Sequence, residues 1–326
     1  MKILVTGGSG YIGSVTTRRL LAAGHQVAIF DNLERGHRET IPQGVPLHVG
    51  DLRDAAAIRA AMAAEKPDAV MHFAAYALVG ESMRQPELYF ENNVGGGINL
   101  LAAMRECGVG RIVFSSSCAT YGEPGTELIS EETPQRPTNP YGESKLIFET
   151  MLRWHRQLHG LSAIALRYFN ACGAEGGLGE DHRVPCETHL IPLVLQVALG
   201  QAPCAKIFGD DYATPDGTCI RDYVHVTDLA DAHLKAIETG AEGAVNLGTG
   251  RGFSVREVVE SARRVTGRPI PAEVTPRRGG DPDRLVAKVG RAAEVLGWKA
   301  AFTEIDAIVE SAWKWHLAHP HGYGPA

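Results

Sequence analysis

Over the first half of the chain, short aliphatic and β-branched runs alternate with longer stretches of helical periodicity. Lys2–Thr6, Gln26–Phe30, Pro46–Val49, Asp68–Phe73, Arg111–Ser115 and Leu161–Arg167 read as strands. Between them lie a helical pattern closed by Gly24, an alanine-rich helix over Ala55–Glu65 stopped by Pro67, a long helix over Glu87–Cys107, and a helix over Tyr141–His159. Strictly alternating strands and helices predict an α/β fold, a doubly wound parallel sheet of the Rossmann-like kind with right-handed crossovers.

After Phe169 the alternation fades. Ala171–Glu187 reads as a loop. Leu190–Leu199, Asp228–Ile237, Ser254–Thr266 and Arg291–Leu296 read as helices, and Ala244–Leu247 as a short strand. This half is expected to be a smaller mixed α/β C-terminal substrate domain. The division expected is 1–168 for the parallel-sheet domain, with a returning segment near 222–250, and 169–326 for the rest.

Composition narrows the picture. The 326 residues are 44% hydrophobic and 21% charged, as in ordinary globular proteins, with a net charge of −6. That charge gives nucleic acid or an anionic membrane no counter-charge, so neither is expected as a partner. The N-terminus runs straight into a strand without a signal-peptide pattern, and no apolar stretch nears the roughly 20 residues that span a bilayer. Cys107, Cys118, Cys172, Cys186, Cys204 and Cys219 lack C-x-x-C spacing, which favours reduced thiols in a cytoplasmic setting.

The turn after the first strand, Gly7-Gly8-Ser9-Gly10-Tyr11-Ile12-Gly13, contains G-x-G-x-x-G. Alone it is weak; between a strand and a helix it is the context a dinucleotide pyrophosphate needs, because glycine lets the backbone and the helix N-terminus approach the phosphates. Asp31 ends the second strand 18 residues beyond Gly13. A carboxylate there can accept hydrogen bonds from an adenosine ribose and repels a 2′-phosphate, which favours NAD over NADP. It could instead be an ordinary turn aspartate. Asp51, after the third strand, is open between a turn role and contact with the adenine amino group.

Tyr141 and Lys145 form Y-x-x-x-K. Pro140 suits a first helical turn and Asn139 a cap, so the pair should lie one turn apart on one helix face. An alcohol must lose its proton as hydride leaves the same carbon. A free phenol, pKa about 10, is too weak a base at neutral pH. A neighbouring ammonium and a positive nicotinamide would both favour the phenolate. Ser115-Ser116-Ser117 sits where the fifth strand ends, at the edge where ligands bind on open α/β sheets; a plain strand-end turn is the alternative for it.

Taken in order, Gly7–Gly13, Asn92-Asn93-Val94, Phe114–Ser117, Tyr121-Gly122, Tyr141–Lys145, Arg167–Asn170, Arg221–Tyr223 and Arg278–Asp281 resemble an extended short-chain dehydrogenase/reductase, in particular those that epimerise C4 of a UDP-hexose. The likeness runs from Met1 to near the C-terminus. It implies Tyr141 as acid/base, Lys145 as its partner and a holder of the nicotinamide ribose, and Ser117 as the hydroxyl partner. It also implies contacts to NAD from Gly7, Gly10, Tyr11, Ile12, Gly13, Asp31, Asn32, Asp51, Leu52, Phe73, Ala74, Ala75, Asn93 and Phe169. Contacts to the UDP-sugar are implied for Asn170, His189, Leu190, Phe208, Arg221, Arg278, Asp281 and Leu285. Guanidinium groups such as Arg221 and Arg278 suit a diphosphate; Asp281 would serve the nucleoside ribose. The resemblance further implies reversible interconversion of UDP-glucose and UDP-galactose through a 4-keto sugar, and a homodimer paired through the helices at 87–107 and 141–159. Three positions depart from the pattern. Gly97 stands at a usual threonine, Ala77 where some relatives have a polar side chain, and His189 where some have asparagine.

A dehydratase or decarboxylase of the same fold would carry a carboxylate just after the strand-end hydroxyl; Cys118-Ala119-Thr120 has none. A net dehydrogenase is a further alternative, as are UDP-N-acetylhexosamine or UDP-pentose (UDP-arabinose) substrates, since Leu285 is intermediate in bulk. A regulator that only binds NAD would have lost Tyr141 or Lys145. His182, Cys186, Glu187 and His189 lack compact ligand spacing, and no metal is expected. Trp313, Trp315, His316, His319 and His321 suggest a packed terminal helix ended near Pro320 and a solvated tail.

Overall fold

A computed structural model describes residues 1–182 and 187–324. Seven parallel strands form the main sheet: β1 Lys2–Thr6, β2 Gln26–Asp31, β3 Leu47–Val49, β4 Ala69–His72, β5 Arg111–Ser117, β6 Ser162–Tyr168 and β10 Gly243–Leu247. Their order is β10-β6-β5-β4-β1-β2-β3. The strand alternation divides the core in two. Ile3, Val5, Val27 and Ile29 point to one face with Leu20 and Leu229. Leu4, Ala28, Phe30 and Val70 point to the other with Ile58, Met104 and Phe148. The first face carries α1 (Tyr11–Ala22) and α8 (Val226–Thr239); the second carries α2 (Ala55–Glu65), α5 (Gly96–Glu106) and α6 (Pro140–His159). The chain therefore leaves the sheet after β6 and returns to it with α8 and β10.

The region read as one helix from Glu87 is composite. Short helices α3 (Val79–Ser82) and α4 (Pro86–Tyr89) lead into a wide π-helical turn, Phe90–Gly95, before α5 begins. Such turns occur often at functional sites, and here the widened turn carries Asn92 and Asn93, both buried. The glycine that follows is a packing residue: a Cβ on Gly97 would lie 2.5 Å from the Phe148 ring of α6.

Beyond β6 the structure holds more strand than periodicity suggested. β7 (Asn170–Cys172), β9 (Ile220–His225), β11 (Gly252–Ser254) and β13 (Arg284–Leu285) make one small sheet; β8 (Ala205–Phe208) pairs with β12 (Ala272–Thr275). These strands have two to six residues, too few to show a period. They pack with α7 (Leu190–Ala198), α9 (Val255–Thr266) and α11 (Ile305–Ala318) on a third core that includes Leu195, Tyr223, Phe253, Ile308 and Trp313; α10 (Gly290–Leu296) lies against β10. The C-terminal tail is solvated at Pro320, His321 and Gly324, as expected, but it also folds back, its Tyr323 hydroxyl accepting from the Gly179 amide at 2.9 Å and its ring lying 4.7 Å from the His37 ring. The aromatic ring of Tyr323 supplies the apolar contact that the polar neighbours hid.

Candidate active site

The glycine turn lies where β1, β2 and β4 end. Gly7 has φ +74°, and a Cβ there would meet the Ala74 amide nitrogen at 2.5 Å; a Cβ on Gly13 would meet the Gly7 carbonyl oxygen at 2.2 Å. Glycine is thus required by the close approach of loop, strand and helix. Gly10 caps α1 without a side-chain hydrogen bond, so the first amides of the helix face the cleft uncapped. Gly7, Gly10, Tyr11, Ile12, Gly13, Asp31, Asn32, Leu52, Phe73, Ala74 and Ala75 all line one cleft. A dinucleotide fits this cradle.

Asp31 is buried, and its carboxylate accepts from Ser9 N at 3.0 Å and Leu33 N at 2.8 Å. It braces the phosphate loop while facing the cleft. Asp51 takes a bidentate grip from Arg53, at 2.9 and 2.7 Å, and the Asn32 amide at 3.0 Å. The Arg53 hydrogen bond holds the Asp51 carboxyl far below the usual carboxylate range. The Asn93 amide is engaged with both backbone groups of Tyr76, at 2.9 and 3.0 Å, and with the Ser144 hydroxyl at 2.9 Å. It clamps the loop after β4 to α6, and Asn92 is the neighbour that lines the cleft. Tyr76, Arg35, Tyr168 and His182 also line it; they sit in loops or at a strand end, where no periodicity marks them.

The second half of the site begins at α6. Asn139 caps the helix by accepting from Gly142 N at 2.8 Å, with Pro140 in its first turn. Tyr141 and Lys145 then share a face and are both buried. The Lys145 ammonium donates to the Ser115 carbonyl at 2.8 Å and lies 4.9 Å from the Phe114 ring and 5.8 Å from the Tyr141 ring. The three serines divide their work. Ser115 pairs with the Tyr168 hydroxyl at 2.8 Å; Ser116 donates to Glu149 at 2.5 Å; Ser117 hydrogen-bonds Tyr141 and accepts from Ala119 N at 3.2 Å. Ser117 thus both closes the strand-end turn and touches Tyr141.

Burial governs the titration of this pair. It pushes Lys145 down to about 7, against the pull of Glu149 one turn on. It pushes Tyr141 far above 10, a shift that the Tyr168 side chain adds to and the Ser117 hydrogen bond opposes. Desolvation dominates at Tyr141, and the Ser117 hydrogen bond, rather than the Lys145 ammonium expected to lower it, opposes the shift. Glu149 in turn forms a buried ion pair with Arg167, at 2.9, 3.2 and 2.6 Å, and Arg167 donates to Tyr121 at 2.8 Å. This network ties α6, β5 and β6 together under the serines.

The sugar-nucleotide positions lie on the small strands and their loops. Phe169 is buried between β6 and β7, and Asn170 opens β7 opposite Tyr223 of β9. His189 caps α7 and Leu190 begins it. Arg221 of β9 is buried, pairs in register with Leu285 of β13, and forms an ion pair with Asp281. The Arg278 guanidinium stacks on the Phe208 ring at 3.9 Å. The residues expected at the diphosphate and at the ribose therefore meet each other directly. The two halves join at Tyr11, whose hydroxyl donates to the Gly173 carbonyl at 2.6 Å and whose ring meets His182 edge-on at 5.8 Å.

Around that seam the structure gathers Glu180, His182 and His189, with one ligand-type atom from each within 4.8 Å of the others. Glu180 was absent from the sequence grouping, which ran from His182; Cys186 lies outside the described residues.

Residues 3–248 match the profile of the NAD dependent epimerase/dehydratase family. A UDP-glucose 4-epimerase of Halalkalibacterium halodurans is 53% identical over 99% of this chain and 98% of its own. A crystal structure of a UDP-glucose 4-epimerase superposes with a TM-score of 0.95 at 51% identity, covering all of both chains. That of Bifidobacterium longum, in complex with NAD+ and UDP, gives 0.93 at 40% identity over 99% of this chain and 100% of that one. With the glycine cradle, the Tyr141–Lys145 pair and a likeness that spans both halves of the molecule, the chain belongs to the NAD dependent epimerase/dehydratase family, among its UDP-glucose 4-epimerases.

Proposed function

We propose that the protein interconverts UDP-glucose and UDP-galactose by inverting C4, with NAD as a resident cofactor. The observation that carries this reading is the buried Tyr141–Lys145 pair on one face of α6, beside Ser117 and the Ser115–Tyr168 contact, Tyr168 being a residue that lines the glycine cleft. NAD, when bound, accepts the C4 hydride and returns it. Tyr141 takes the C4 hydroxyl proton as that hydride leaves, and a 4-keto sugar results. Ser117 lies within hydrogen-bond reach of the phenol and can relay the proton. The UDP stays held by Arg221, Arg278 and Asp281 while the ketone turns over, hydride returns to the opposite face, and Tyr141 gives the proton back. Nothing is consumed, so NAD needs no exchange.

Residues 1–168 with the returning segment near 222–250 would hold NAD, and 169–326 mainly the UDP-sugar. Leu285, half-buried and paired with Arg221, would set how much room the sugar has. Ile98 of α5 and Trp154 and Leu158 of α6 are about half exposed or more. An apolar face of this kind supports a homodimer paired through these two helices. No described helix is long and apolar enough to cross a membrane; the five described cysteines are free, which supports a cytoplasmic setting.

Tyr141→Phe tests the chemistry. General acid–base loss should cost about 100- to 10,000-fold in kcat, with NAD still bound, and near-normal turnover would refute the assignment. Incubation of the wild type with UDP-glucose, UDP-N-acetylglucosamine and UDP-xylose, followed by chromatographic separation of epimers, tests the substrate. Release of one NADH per sugar would favour a net dehydrogenase instead.

A further inference from the structure

We propose that Glu180, His182 and His189 form a site for one divalent cation of the zinc class at the seam between the NAD cleft and the sugar-nucleotide region. Their ligand atoms lie within 4.8 Å of one another. Glu180 Oε1 is 3.2 Å from His182 Nε2 and 3.4 Å from His189 Nδ1. Charge-assisted hydrogen bonds are shorter, about 2.7–2.9 Å. Two ligands on one tetrahedral ion, each about 2.0–2.1 Å from it, stand about 3.3–3.4 Å apart. The observed separations fit the edge of a coordination polyhedron, and the shorter of them also fits a hydrogen bond.

Charge points the same way. The Glu180 side chain is 5% exposed, and among the described residues its ion-pair partners are the two histidines. A buried carboxylate needs a compensating charge, and a dication would supply it. Glu187 Oε1 lies 2.7 Å from the same His189 Nδ1, so an ion on that nitrogen would replace this hydrogen bond and hold a second carboxylate beside it. The set of two imidazoles and one carboxylate suits zinc and its neighbours, in place of the oxygen-rich shells of magnesium or calcium.

Placement suggests what the ion does. Glu180 and His182 precede the segment 183–186, and His189 caps α7 just after it. An ion there ties Glu180 and His182, which lines the cleft, to the start of α7. The cation would thus hold His182 and α7 in place at the seam, and it takes no part in the hydride or proton transfer.

The test uses the full-length, NAD-loaded protein, stripped with EDTA and desalted. Titration with Co2+ and Zn2+, followed by calorimetry and by the visible cobalt bands, should give one saturable equivalent per chain, with Zn2+ displacing Co2+. His182→Gln and Glu180→Gln should each weaken binding by about 100-fold or more; retained NAD shows that the variants are folded. His159→Gln removes one member of an imidazole pair on α6, 5.3 Å apart, and should leave binding unchanged. Pulsed EPR of the Cu2+-loaded wild type should show two coordinated imidazoles without recourse to any variant. The proposal is overturned by non-saturable binding, by wild-type affinity in both Gln variants, by loss in His159→Gln, or by fewer than two imidazoles in the spectrum.

Discussion

Replacing Lys145 by Met should abolish turnover yet stabilise the protein at neutral pH. Burial moves the Lys145 pKa from the ordinary 10.5 to about 7. Between those values the unfolded chain binds a proton that the folded chain does not. The folded state is therefore disfavoured as pH falls from 10.5, and the penalty is complete near pH 7. At about 1.4 kcal/mol per pH unit it reaches about 5 kcal/mol. The substitution removes this penalty, and with it the 2.8 Å hydrogen bond from Nζ to the Ser115 carbonyl, a loss of about 2 kcal/mol. The net expectation is a gain of about 3 kcal/mol at pH 6–7 that shrinks with rising pH. It should change sign near pH 9, where penalty and hydrogen bond balance. Urea denaturation of both proteins from pH 6 to 10, each stripped of NAD, reads the difference directly. A difference that does not vary with pH, or a Met variant less stable than wild type at pH 7, would show that burial does not dominate at this lysine.

Two further substitutions separate framework from chemistry. Glu149→Gln leaves Arg167 buried without its counter-charge; the pair is under 10% exposed on both sides, so about 3 kcal/mol of stability should be lost in chemical denaturation. The same change removes the group that opposes the lowering of Lys145, so any pH profile set by Lys145 should move toward acid. Gly13→Ala places a methyl 2.2 Å from the Gly7 carbonyl oxygen and should strip most NAD from the purified protein, measured by nucleotide released on denaturation; a full complement of NAD would argue against the tight cradle.

What was legible in the chain depended on length and on repetition. The main-sheet strands other than β3 were readable as near-continuous buried aliphatic runs and their helices by period, and Asn139-Pro140 announced the start of α6 two residues from its chemistry. The turn at Gly7–Gly13 was readable because the backbone must approach its own strand. The short strands β7–β9 and β11–β13 were not, since their pairing is set by distant partners such as Arg221 with Leu285 and Phe253. The tail's return onto Gly179 depends on one tyrosine, and the Glu180–His182–His189 grouping on a loop whose ends are seven residues apart. The glycines at 95–97 show the limit most sharply. Read as a helix, they are three costly residues, each about 1 kcal/mol worse than alanine. The structure separates them. Gly95 has helical φ and ψ of −60° and −49°, and a Cβ there would meet only the Phe90 carbonyl oxygen at 3.9 Å. Gly97 faces Phe148, which cannot retreat, being 1% exposed and held by the Phe114 ring at 4.4 Å and the His72 ring at 5.0 Å. Gly95→Ala should therefore stabilise the protein by about 0.5–1 kcal/mol. At Gly97 an overpacking cost of about 1–3 kcal/mol outweighs the same gain, and alanine should destabilise. Thermal or urea unfolding of the two variants should give shifts of opposite sign. Stabilisation by both would mean that propensity alone governs the glycines and that the contact with α6 imposes no constraint on this helix; destabilisation by both would refute the gain expected at Gly95.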